Sequence, residues 1–344
     1  MRTRQLTRLC GIVLGAFCCQ AFAEVTVEKV DYQKWHDAYR LTNGSCEMVI
    51  VPQVGRVMFF ARTGGQNVLY NNEDLSGQTV PGDDHQWHNF GGDKVWPTQQ
   101  DWWDRYTDRK GGWPPPYFSD AAPQSAEPIP HGVRMTSPLS PEFGTRTIRE
   151  FVMDPKLPMI HVRQWFKKEG GKPVVMTLWT VTQVRQPEYA MAPLGEPIDG
   201  KPFKNLADTP PNAKGVGQAV LIRNDPKKPQ KIGTAPSARS EGTWVAGIFE
   251  KELFVESRRT PVREGYPDQN CSAEIFTADE PLRMYVELEL LSPMREIKAG
   301  DTLEADCVWQ IAEITPEMAS DPAKAAKLAQ ELCARAQSLP ENQR

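Results

Sequence analysis

From residue 39 onward the chain alternates apolar and polar positions in short runs, the period of two that puts successive side chains on opposite faces of a strand. The first runs fall at 39–42, 46–51, 57–61 and 68–70, with Asn43-Gly44 and Gly64-Gly65 between them as hairpin turns. They return at 133–137, 145–153, 159–167 and 174–184, and again at 244–249, 253–257, 273–277, 283–291 and 303–312. No alternation of strands with helical segments interrupts them, so the pattern predicts an all-β fold, a large antiparallel β-sandwich. Only the end changes period. Thr315-Pro316-Glu317 opens a helix, and Ala323, Ala326, Leu328, Ala329, Leu332, Cys333 and Ala336 give it an apolar face to lay against the sheet.

Two stretches resist the pattern. Residues 97–130 hold Trp102, Trp103, Trp113, Tyr117, Phe118 and the run Pro114-Pro115-Pro116 without a regular period, and are expected to form a long loop acting as a lid or an aromatic platform. Residues 187–240 are rich in proline, glycine and lysine and are expected to be an irregular insertion with embedded strands such as 219–223.

The start of the chain sets its compartment. Arg2, Arg4 and Arg8 precede an apolar run at 9–17 that ends in Ala21-Phe22-Ala23, the form of a secretory signal peptide. The expected division is therefore a signal peptide at 1–23, a β-sandwich domain at 24–314, and a C-terminal helix and tail at 315–344. The product is expected to be periplasmic or secreted and monomeric. No later stretch reaches the roughly 18 apolar residues of a membrane span. Loss of the three leader arginines lowers the formal charge of −4 to −7, which argues against a nucleic-acid partner. Cys46, Cys271, Cys307 and Cys333 remain, enough for up to two disulfides in an oxidising compartment, and their wide spacing does not suit a zinc site.

The densest candidate chemistry lies at 85–97, His-Gln-Trp-His-Asn-Phe-Gly-Gly-Asp-Lys-Val-Trp-Pro. His88 is a proton carrier near neutral pH. Gly91 and Gly92 let the backbone turn or approach a ligand, and Asp93, Lys94 and Trp96 add an acceptor, a donor and a flat apolar face. A pyranose presents hydroxyls to such polar groups and a C–H face to an indole, so a carbohydrate ligand is expected. Within 174–184, Thr177, Trp179, Val181 and Gln183 share one strand face, and Gln183 is the better candidate of these to line a cleft because a buried amide needs partners. Within 283–291, Tyr285, Glu287 and Glu289 likewise share a face, and two neighbouring acids in a cleft would raise one another's pKa into a range useful for acid–base work. His85 and His88 beside Asp83 and Asp84 match no closed metal geometry, so neither a metal nor a cofactor is expected.

With these residues in view the chain resembles the galactose mutarotase-like superfamily, which includes the aldose 1-epimerases, in an uncharacterised exported bacterial branch. The likeness covers most of 34–313 and rests on three regions. Residues 41–57 are similar to the superfamily's early hairpin and Gly-Arg turn, residues 88–97 to its His- and Gly-rich segment, and Glu287-Leu-Glu-Leu-Leu-Ser-Pro with 297–303 to its late strand. The resemblance implies a sandwich fold, a Glu that takes the anomeric hydroxyl proton, and a His that protonates the ring oxygen. His88 and Glu289 match these by position, with Glu287 the alternative. The second epimerase histidine has no clear counterpart among His131 and His161, and Ala299-Gly300 stands where Pro-Gly is usual.

The expected site therefore has His88, Glu289 and Glu287 as catalytic groups, with Arg56, Asp93, Lys94, Trp96, Trp102, Trp103, Trp113 and Gln183 binding substrate. Three functions fit that set: an epimerase-like enzyme, a non-catalytic sugar-binding module, and a polysaccharide lyase-like enzyme. The last requires a cation beside a uronate carboxylate, for which Arg56, Arg163 and Lys94 are available.

Overall fold

A computed structural model of the protein describes residues 24–238 and 242–339. The signal peptide expected at 1–23 lies outside the described residues. Two large sheets face one another. In the first, among the described residues, ten strands run in the spatial order Thr26–Tyr32, Trp35–Thr42, Cys46–Val51, Arg56–Arg62, Asp93–Pro97, Leu178–Val184, Val286–Leu291, Ala273–Thr277, Gln230–Thr234 and Lys204–Asn205. The second has eleven and includes Thr145–Met153, Met159–Lys168, Gly242–Phe249, Glu252–Arg259 and Cys307–Glu313. The strand pairings in both are antiparallel, which makes the molecule the all-β sandwich that the alternation predicts.

The inward residues of both sheets form the main core. Leu41, Met48, Ile50 and Phe60 of the first sheet meet Phe151, Val162, Phe254 and Trp309 of the second. Phe60 stands edge-on to Phe254 and Trp309 at ring separations of 5.7 and 5.5 Å, an arrangement that satisfies the ring quadrupoles. Helix α1 (Pro316–Ser320) is capped by the Thr315 hydroxyl, which accepts from the Met318 amide, and α2 (Pro322–Ser338) by the Asp321 carboxylate, which accepts from the Ala323 amide. The 17-residue α2 buries Ala325, Ala329, Leu332 and Cys333 against Trp244, Ile248, Leu253 and Val255, on the outside of the second sheet. Among the described residues no helix is long and apolar enough to cross a membrane, which leaves strand-built spans aside.

Several local expectations change. Of the segment 187–240, the described residues 187–238 are part of the sandwich: Tyr189–Pro193 pairs with Gly242–Phe249, and Gln230–Thr234 pairs with Ala273–Thr277 inside the first sheet. Their strands are only two to five residues long, too short to show a period between prolines and glycines. The run at 174–184 splits into Val174–Met176 and Leu178–Val184, which join different sheets. All four described cysteines are buried and unbridged.

Candidate functional site

Five strands of the first sheet build the site: β1 (Asp93–Pro97), β2 (Leu178–Val184), β3 (Gln230–Thr234), β4 (Ala273–Thr277) and β5 (Val286–Leu291). They lie side by side in the order β1, β2, β5, β4, β3. Register puts Trp96 opposite Trp179, Gln183 opposite Glu287, Glu287 opposite Phe276, and Phe276 opposite Lys231. Val286, Leu288 and Leu290 of β5 point into the core, so the intervening Glu287 and Glu289 point the other way, onto the outer face. There a cleft of about 540 Å³ is lined by Trp87, Trp96, Trp113, Trp179, Lys231, Tyr285 and Glu287, together with Gln100, Phe276 and others.

The polar floor is tightly organised. Gln183 Nε2 donates to Glu287 Oε1 at 2.9 Å, and Lys94 Nζ lies 3.7 Å from the same oxygen. Lys94 also sits 4.6 Å from the Trp96 ring centroid. Trp179 Nε1 donates to Glu289 Oε2 at 2.7 Å, and Lys231 Nζ bridges Glu274 at 2.7 Å and Glu289 at 3.2 Å. Burial opposes charge on Lys231, but Glu274 and Glu289 outweigh it and hold its pKa well above the usual value. Burial raises the pKa of both Glu274 and Glu289, with Lys231 opposing. Burial, helped by Arg56 and opposed by Glu287, pushes Lys94 down to about 8.

The aromatic wall has its own order. Trp103 is fully buried, donates to the Pro97 carbonyl at 2.7 Å, and packs edge-on to Trp96 at 5.3 Å. Trp113 stands over it, 41% exposed, with Trp87 edge-on at 5.0 Å. Tyr70 stacks on Tyr285 at 5.2 Å on the other flank. Indole on indole fixes the ring planes before any ligand arrives, which lowers the cost of ordering them on binding.

The candidates from the sequence divide accordingly. Glu287, Trp96 and Trp113 line the cleft, while Lys94, Gln183, Glu289 and Trp103 support its floor and wall. His88 is placed elsewhere: its Nε2 lies 2.8 Å from Asp84 Oδ2, its ring stacks on Phe90, and it is not among the residues lining the cleft. Arg56 is buried and donates to the Gly91 carbonyl, the Asp120 carbonyl and Asp120 Oδ1, and that carboxylate oxygen also accepts from Trp96 Nε1 at 2.9 Å. Arg56 therefore orients Trp96 through Asp120. Asp93 faces the interior, paired with Arg149 at 2.6 Å and Thr182 at 3.1 Å. Trp102 lies beneath the Arg105 guanidinium. Arg163 belongs to the second sheet and lines two other cavities.

Gly91 and Gly92 serve packing. Both have positive φ, and a Cβ on either would stand 2.2 to 2.3 Å from the carbonyl oxygens of Tyr70 and Val57. Asp83 pairs with Arg109 and Asp84 with His88, and no group of three potential metal ligands occurs among the described residues. Trp87, Trp179, Tyr285 and Lys231 were the less obvious members of the cleft. Trp179 and Tyr285 were visible as members of the right strand faces, but nothing in the short Gln230–Thr234 run singles out Lys231.

A family model described as "Domain of unknown function (DUF4380)" matches residues 37–312. No curated protein matches the chain in sequence. Among solved structures, a provisionally assigned aldose 1-epimerase from Klebsiella pneumoniae superposes with a TM-score of 0.59 at 9% identity, over 90% of this chain and 87% of that one. A provisionally assigned mutarotase from Salmonella typhimurium gives 0.54 at 11% identity, over 84% and 94%. A galactose mutarotase-related enzyme from Lactobacillus acidophilus gives 0.51 at 10% identity, over 81% and 98%. At such identities the likeness establishes the galactose mutarotase-like fold.

Proposed function

Since the chain belongs to the DUF4380 family, whose description assigns no activity, we propose from its site that it binds a carbohydrate in the cleft between Trp113 and Glu287. One observation carries this reading: four indoles and the Glu287 carboxylate open together into a single cleft on the outer face of the first sheet. A sugar ring would lay its C–H face on Trp113 and direct hydroxyls to Glu287 and Lys231. The mutarotase-like fold of the solved neighbours supports a sugar ligand. The reading includes export behind the leader at 1–23 and a monomeric state. Calorimetry against a panel of neutral, amino and acidic monosaccharides tests binding. Failure of every sugar to bind, or binding unaffected by both Trp113→Ala and Glu287→Gln, would overturn it.

A catalytic reading of the same cleft is favoured by the contact between Glu287 and Lys94. Glu287 would take the proton of the anomeric hydroxyl as the C1–O5 bond breaks, and water in the open cleft would give O5 its proton. Lys94, pushed down to about 8, is the adjacent group able to exchange a proton with Glu287 between turnovers. His88 has no part in this scheme. Polarimetry on freshly dissolved aldoses separates the two readings, because a binding module leaves the rate of mutarotation unchanged.

A further inference from the structure

Resting on the sugar reading, we propose that the cleft selects a sugar bearing a basic amino group over sugars bearing a carboxylate or phosphate. Among the described residues that line it there is no arginine, and Lys231 is its one cation. That ammonium group is committed to two carboxylates, Glu274 at 2.7 Å and Glu289 at 3.2 Å. On and beneath the floor, β4 and β5 place Glu274, Glu287 and Glu289 on one face, against Lys94 and Lys231. Glu287 is the carboxylate that lines the cleft, and the one lining ammonium group is already shared by two carboxylates, so an added anion finds no uncommitted cation to pair with.

The hydrogen-bonding capacity leans the same way. Glu287 brings an accepting carboxylate to the lining, whereas the Nε1 donors of Trp96 and Trp179 are already taken by Asp120 and Glu289. An ammonium substituent only donates, whereas a carboxylate or phosphate mainly accepts. The indole wall is also suited to cations. Lys94 and Lys231 already lie 4.6 and 4.7 Å from the Trp96 and Trp179 ring centroids, and Trp113 turns an exposed face to the cleft.

The test is calorimetry in neutral, low-salt buffer with D-glucose, D-glucosamine, N-acetyl-D-glucosamine and D-glucuronate, repeated with the galacto series. The amino sugar is expected to bind about tenfold tighter than the neutral one, the N-acetyl sugar to lose that advantage, and the uronate to bind most weakly. Added salt and Glu287→Gln should each shrink the amino-sugar preference. A uronate that binds as tightly as the neutral sugar, or an N-acetyl sugar as tight as the amine, overturns this inference and leaves the sugar reading standing. If no member of either series binds, the sugar reading falls and this inference with it.

Discussion

Lys94 Nζ lies 3.7 Å from Glu287 Oε1, an ammonium group with almost no exposure set against the carboxylate that reaches the cleft. Because Lys94 is pushed down to about 8 from 10.5, the unfolded chain holds its proton over a pH range where the folded chain has released it. Its burial therefore costs stability below pH 8, by about 3 kcal/mol, and that cost is relieved as pH rises from about 8 toward 10.5. Wild type should accordingly gain on Lys94→Met across that window in chemical denaturation series. If the cleft is catalytic, its rate should show a transition near pH 8 that Lys94→Met removes.

Trp113 and Trp103 stack on one another, yet their substitution should have opposite consequences. Trp113→Ala removes a ring that is 41% exposed and lines the cleft, so it should weaken sugar binding by about 1 to 3 kcal/mol with a smaller loss of Tm than Trp103→Ala. Trp103→Ala opens a cavity beneath Trp96 and should cost about 3 to 5 kcal/mol of stability. Thermal denaturation and calorimetry on the two variants check the contrast.

His88→Ala should leave both sugar affinity and any mutarotation rate unchanged, since the imidazole pairs with Asp84 and does not line the cleft. Glu287→Gln, measured beside it, should lose either. Equal loss in both variants would return His88 to the site.

Glu256 lies behind the cleft strands, where Thr182 Oγ1 donates to it at 2.7 Å and also contacts Asp93 at 3.1 Å. Burial first, then the charge of Asp93, raises Glu256 to about 7. The folded protein holds that proton above pH 4.5, where the unfolded chain gives it up, so this group's contribution falls as pH rises from 4.5 through 7. Glu256→Gln, which keeps an acceptor for Thr182 without the charge, should raise Tm at pH 7.5 relative to wild type and change it little near pH 4.

Much of this molecule could be read from its pattern. The period of two in 145–153 and 303–312 made an antiparallel sandwich the expected fold, because alternation is a local consequence of pleating. The apolar stripe from Ala323 to Ala336 likewise identified α2 and the face it buries. The same logic put Glu287 and Glu289 on one face and Trp179 and Gln183 on another. Whether those faces met was a matter of strand order, and pairing of β2 with β5 joined them across about a hundred residues of chain.

What tertiary structure alone decided was which polar residues share a cavity. Asp93 and Lys94 are neighbours in sequence, but adjacent strand residues point to opposite faces, so one pairs with Arg149 inside the sandwich and the other meets Glu287 beneath the cleft. His88 stands in the densest polar run of the chain and turns to Asp84. Lys231, in a five-residue strand between prolines and glycines, enters the site because β3 pairs with β4. The sequence by itself determined the elements and the two faces of each, since those follow from backbone period and side-chain size. The membership of the cleft depended on long-range strand pairing, which no local period encodes.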